Sequence, residues 1–299
     1  MNSFMLFLLS VVVYIITVTI ISTKALHMLQ QNRYNRGYRY IKWIFRHFKE
    51  NFFTIHFIYF LFLLTLLTDS LHVLLPYLFI VISVFVSYVF IDGRKKESYK
   101  LPLKYTARIK RIMVTNTIVY LLPCIFMICF YDEDYLNIYY LVLGLLLQLN
   151  YFIVMLDNFI NRPVEKMVGQ YFLNKAKSKL NSLESMEVIG VTGSYGKTST
   201  KNILYDILNV KYNVFKTPAN YNTLFGLMIT INNFLDIYND YFIAEMGACK
   251  KGEIKELCDL VHPKYGVLTR IGLAHLETFG SEETILRTKF ELIESLSYS

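Results

Sequence analysis

Cysteine is scarce in this 299-residue chain: four thiols, Cys124 and Cys129 in one apolar run and Cys249 and Cys258 far downstream. They show neither metal-ligand spacing nor a disulfide framework, so all four read as buried thiols. Charge is missing too, but only locally. Residues 4–22, 52–68, 71–91, 112–130 and 135–156 contain no Lys, Arg, Asp or Glu. These five runs are long enough, or nearly so, to cross a hydrocarbon core of about 30 Å. The first run has no basic residue before it and no small-residue cleavage site after it, which argues against a removed signal peptide.

Apolar residues make up 54% of the chain and aromatics 16%, and the excess lies in the first half. The basic residues lie between the runs. Residues 23–51 hold seven Lys or Arg and residues 92–111 hold eight, whereas the links around Asp69 and Asp132 hold none. The positive-inside rule then predicts an N-terminus outside and everything after Leu156 in the cytoplasm. Residues 1–160 carry a net charge of +7 and residues 161–299 only +1. The basicity is thus a topology signal, assisted by membrane lipid, and not a nucleic-acid patch. The expectation is a multi-pass protein of the cell membrane with an N-terminal α-helical transmembrane bundle of about five spans at 1–160. A polar, Lys-rich connector at 161–186 follows, partly helical, with no recognisable chemistry.

From Glu187 strand and helix alternate. Strands are expected at 187–192, 212–215, 241–246 and 264–270, and helices at 196–209, 224–234, 252–260 and 281–296. That order predicts an α/β P-loop domain with a mostly parallel sheet at 187–299, with ligands gathering at the carboxyl ends of the strands.

The apolar run Val188-Ile189-Gly190-Val191 leads into Thr192-Gly193-Ser194-Tyr195-Gly196-Lys197-Thr198-Ser199-Thr200. Strand, glycine turn and helix start are the parts of a phosphate-binding loop. Gly193 and Gly196 let backbone N–H groups close around phosphate, Lys197 adds a point charge, and the Thr198 hydroxyl is a magnesium ligand. The spacing is G-x-x-G-K-T, shorter than the general P-loop. The competing structural reading is a turn before an amphipathic helix. The other polar residues fall at strand ends: Glu245, placed to hold magnesium beside Thr198, Asn220 and Asn222 after the second strand, and His275 and Glu277 after the fourth. Lys289 lies on the last helix. Singly each has a structural explanation as cap, turn or solvated side chain.

In order and spacing, Gly193–Thr198, Thr217–Asn222, Glu245–Ala248, Gly252–Ile254, Ala274–Gly280 and Thr288–Leu292 resemble the central ATPase domain of the Mur ligases, closest to the branch that adds D-alanyl-D-alanine. The resemblance covers residues 187–299. It implies an ATP-dependent ligase that joins a carboxylate to an amino acid or dipeptide amine through an acyl phosphate, in cell-wall or surface-polymer synthesis. It implies ATP bound by residues 193–199 with Asn220, and Mg2+ held by Thr198 and Glu245. His275 would help hold a second Mg2+, and Lys197 would contact the β- and γ-phosphates. Lys289 matches a lysine that this family often carbamylates. Apolar runs stand where these ligases have a soluble UDP-binding domain, which points to a small-molecule or lipid-linked carboxylate substrate. No C-terminal domain follows within the sequence, leaving a fragment or a separate C-terminal domain subunit as expectations. The alternatives are a poly-γ-glutamate-type ligase, a non-catalytic truncated product and a membrane P-loop ATPase. Transport is disfavoured, since the runs hold uncharged polar residues such as His56, Asn116, Gln148 and Asn150 in place of charged ones.

Overall fold

In the computed structural model, residues 3–32, 34, 38–49, 74–96, 101–183, 185–274 and 276–296 are described. The chain divides into two compact units, Met1–Glu165 and Lys166–Ser299.

The first unit is helical: α1 (Ser3–Gln31), α2 (Tyr38–Arg46), α3 (Leu75–Lys96), α4 (Ala107–Cys129), α5 (Leu136–Gln148) and α6 (Asn150–Ile160). Apolar side chains on most faces leave these helices no single buried stripe, so Phe7, Tyr14, Phe79, Tyr120 and Tyr140 form a shared aromatic core while many others stay exposed. Among the described residues three helices, Ser3–Gln31, Leu75–Gly93 and Ala107–Cys129, are long and apolar enough to cross a membrane. These account for three of the five expected spans. Run 52–68 lies outside the described residues, and run 135–156 is a pair of helices bent by 72°, which makes a fourth if the broken pair is taken as one span. The break falls where Asn150 turns its side chain inward, its Oδ1 accepting from Ser22 Oγ at 2.7 Å and Tyr120 OH at 3.1 Å.

Across the division runs α7 (Arg162–Asn181). Its later part belongs to the second unit, where Ala176 is buried and Leu173 and Leu180 pack on the core. The sheet follows: β1 (Glu187–Thr192), α8 (Lys197–Leu208), β2 (Val214–Lys216), α9 (Leu224–Phe234), β3 (Tyr241–Met246), α10 (Glu253–Val261), β4 (Tyr265–Leu268), α11 (Leu276–Phe279) and α12 (Glu282–Glu294). All pairings are parallel, in the order β2-β3-β1-β4. The mostly parallel sheet expected from the alternation is present.

Both faces are covered, which is why the strands read as unbroken apolar runs. Strand alternation divides them. Phe242, Ala244 and Met246 face the core formed with Leu227, Ile254 and Leu292 of α9, α10 and α12. Ile243 faces the other way, joining Ile189, Val191 and Val214 against Leu204, Tyr205 and Leu208 of α8. Glu245 has the parity of Ile243 and so belongs to the α8 side.

Candidate functional site

The site is built at the carboxyl ends of β1 and β3, neighbours in which Val191 pairs with Glu245 and Thr192 with Met246. The chain leaves β1 through Gly193 at φ 151°, where a Cβ would lie 1.9 Å from Thr269 Oγ1, so only glycine fits. Gly196, at φ 84°, turns the chain into α8. Thr200 N–H makes the first bond of this helix, to Gly196 O, leaving the preceding N–H groups directed out of its positive end.

Ser194 and Tyr195 also tether the loop. Their backbone N–H groups donate to Arg270 O at 2.9 and 3.2 Å, and Ser194 Oγ donates to Gly272 O at 2.9 Å. They stitch the loop to the segment after β4. The Lys197 ammonium folds back on its own loop, donating to Gly193 O at 2.7 Å and Ser194 O at 3.3 Å. Burial lowers its pKa, and Glu245 partly offsets that.

Thr198 Oγ1 donates to Glu245 Oε1 at 3.3 Å, and Asn222 Nδ2 donates to the same oxygen at 3.2 Å. Asn222, rather than the exposed Asn220, is the asparagine that reaches the carboxylate. Ser199 is exposed on the first turn of α8. His275 lies outside the described residues, and Glu277 is exposed on α11.

Lys201 escaped the sequence reading. It lies one turn beyond Lys197 and three residues beyond Thr198, hence on the face of α8 turned to β3. Its ammonium is 2.9 Å from Glu245 Oε2, and both side chains are 2% exposed. It also donates to Thr217 O at 2.9 Å and Ala219 O at 3.1 Å. Its signal was spacing alone: a lysine at i+3 from the threonine reads as solvated unless that face is known to be buried.

Lys289 comes from the opposite face of the sheet. It is 3% exposed, with Nζ 3.4 Å from Ala248 O and 5.7 Å from the Phe279 ring. Burial first, and the Lys197 charge second, lower its pKa to about 8. Two residues on, Glu291 accepts from Gly252 N at 2.8 Å and Lys255 N at 3.0 Å, tying α12 to the start of α10.

Hard oxygen donors in this arrangement fit magnesium, which is commonly held by one or two carboxylates together with nucleotide phosphates. Glu245 Oε2 is paired in charge with Lys201 yet accepts no aligned hydrogen bond, and Oε1 faces a hydroxyl. Among the described residues there is no group of three His, Cys, Asp or Glu, so a zinc-type cage is not formed.

Fold and site together define an α/β unit with a parallel sheet and a glycine turn opening a helix at the end of β1. Residues 191–299 match the Mur ligase middle domain. The UDP-N-acetylmuramoyl-tripeptide--D-alanyl-D-alanine ligase of Bacillus subtilis is 40% identical over 121 residues, 40% of this chain and 26% of the relative. The Synechocystis ligase of the same name is 40% identical over 109 residues, 36% of this chain and 24% of the relative. Among solved structures, MurF from Thermotoga maritima in complex with ADP is 43% identical, covering 43% of this chain and 30% of that one with a TM-score of 0.41. MurF from Acinetobacter baumannii is 29% identical, covering 44% and 28%, with a TM-score of 0.42. The chain spans about a quarter of the length of the curated relatives it matches.

These relatives correct one expectation. A multi-pass location in the cell membrane is overturned, because the ligases matched are soluble cytoplasmic enzymes. They also lend no support to the poly-γ-glutamate, transport, lipid-linked-substrate or separate-subunit readings.

Proposed function

We propose that residues 187–299 form the ATP-binding unit of an amide-forming ligase of peptidoglycan synthesis, similar to those that join D-alanyl-D-alanine to a UDP-linked muramoyl tripeptide. The observation that carries this reading is the convergence of Lys197, Thr198 and Glu245 at adjoining strand ends, within a segment matching the Mur ligase middle domain.

In this reading a substrate carboxylate attacks the γ-phosphorus of ATP and ADP leaves. The amine then attacks the acyl phosphate carbon, loses a proton, and inorganic phosphate departs. Such chemistry needs charge neutralisation and alignment more than a covalent nucleophile. Lys197 would exchange its two loop carbonyls for the β- and γ-phosphates. The N–H groups opening α8 would bind phosphate oxygens. Thr198 and Glu245 would hold magnesium, which supplies further charge neutralisation when bound. Lys289, lowered to about 8, has a neutral amine accessible near physiological pH and would take up CO2 as a carbamate, exchanging a buried cation for an anion. The second-magnesium role of His275 and a nucleotide contact by Asn220 rest on motif resemblance.

The test is calorimetric titration of the purified chain with ATP and ADP, with and without magnesium. Saturable, magnesium-strengthened binding is expected; absence of binding would end this reading.

A further inference from the structure

Three groups compete for the Glu245 carboxylate, and they divide it unequally. Thr198 and Asn222 approach Oε1, the oxygen turned to the phosphate loop, while Lys201 lies against Oε2 from inside the protein. Lys201 is itself fixed by the Thr217 and Ala219 carbonyls, and Thr217 Oγ1 accepts from Glu245 N at 3.1 Å. The β2–α9 loop, α8 and β3 are thereby joined at one buried ammonium.

We infer that Lys201 is a positioning residue that commits Glu245 to offering a single oxygen and only half its charge to a metal ion, so that the site takes a divalent cation with the nucleotide and not before it. This rests on the magnesium–nucleotide reading above. A bare buried carboxylate beside a hydroxyl would attract a divalent ion by itself, whereas an ammonium at 2.9 Å opposes a second cation at the same carboxylate. Nucleotide phosphates restore the missing negative charge. Lysine suits this role because its compact point charge occupies one oxygen; the planar fork of arginine would engage both.

The probe is Mn2+, read by electron paramagnetic resonance on the full chain, alone and with ADP. Wild type is expected to bind Mn2+ only with ADP. Lys201→Met should bind Mn2+ without nucleotide, a gain of roughly tenfold or more. Lys201→Arg keeps the buried charge paired and so keeps the fold; it should remain inert to Mn2+ alone and bind Mn2+–ADP about tenfold more weakly, since the guanidinium covers Oε1 as well. Tight Mn2+ binding by the nucleotide-free wild type would overturn the inference, as would wild-type Mn2+–ADP affinity in Lys201→Arg, which needs no folded Met variant. If wild type binds Mn2+–ADP and folded Lys201→Met gains nothing, the Lys201 role alone is lost. If wild type binds no Mn2+–ADP, this inference and the nucleotide reading fall together.

Discussion

Thr198 and Glu245 are 47 residues apart in sequence and meet at 3.3 Å, hydroxyl to carboxylate. The contact joins the first turn of α8 to the end of β3 because Glu245 shares the strand parity that faces α8. Thr198→Val preserves shape and removes only the hydroxyl. Its affinity for magnesium–ADP is expected to fall about tenfold with magnesium-free ADP binding unchanged, a loss of roughly 1.4 kcal/mol. Equal losses with and without magnesium would detach Thr198 from the metal.

Lys197→Ala deletes a charge-assisted phosphate contact worth roughly 1.5–3 kcal/mol, so ATP affinity should drop about ten- to a hundredfold. The glycine turn should survive, since its hydrogen bonds to Arg270 O come from the Ser194 and Tyr195 backbone. Circular dichroism beside the titration separates the two effects, and a normal ATP affinity would count against the phosphate-loop assignment.

Gly193→Ala combines a disfavoured φ with a collision at Thr269 Oγ1. A strain of about 1–3 kcal/mol is expected, seen as a lower unfolding midpoint together with lost nucleotide binding. Gly196→Ala meets no atom closer than 4.0 Å, so it should cost less, and the order of the two melting temperatures is the check.

Glu291 holds two N–H groups at the start of α10 from a buried position on α12. Glu291→Ala should destabilise the unit by about 1–2 kcal/mol in urea melts, through loss of a cap and of a favourable helix-dipole contact. No change in midpoint would show that solvent replaces the carboxylate without cost.

Lys289 gives a pH dependence of definite sign. Its folded pKa of about 8 lies below the ordinary 10.5, so between these values the unfolded chain binds more protons and stability rises with pH. Below about 8 the penalty for burying the cation is present in full. In CO2-free buffer, Lys289→Met should lack this rise, and wild type should gain on the variant between pH 8 and 10.5. Parallel stability curves would place the Lys289 ammonium in a solvated setting.

Much of the second unit was legible locally. The strands at 187–192 and 241–246 and the helix at 224–234 have the bounds expected from apolar runs and turn residues. The part of Asn222 was not legible: 220 and 222 look alike in a turn, and only the β2–α9 geometry turns Asn222 to Glu245. In the first unit, apolarity over 135–156 signalled length but not continuity, because the bend at Leu149 answers to Ser22 and Tyr120, distant in sequence from Asn150.

The order of elements, the glycine turn and the lysine–threonine pair at the helix start follow from the sequence by itself, since each depends on neighbours within a few residues. Which lysine is buried, which carboxylate oxygen it takes and which face receives Glu245 were decided by tertiary structure. Those outcomes depend on the β3-β1 register and on α8 covering one face of the sheet, and burial turns a helical lysine into an ion-pair partner only once both are in place.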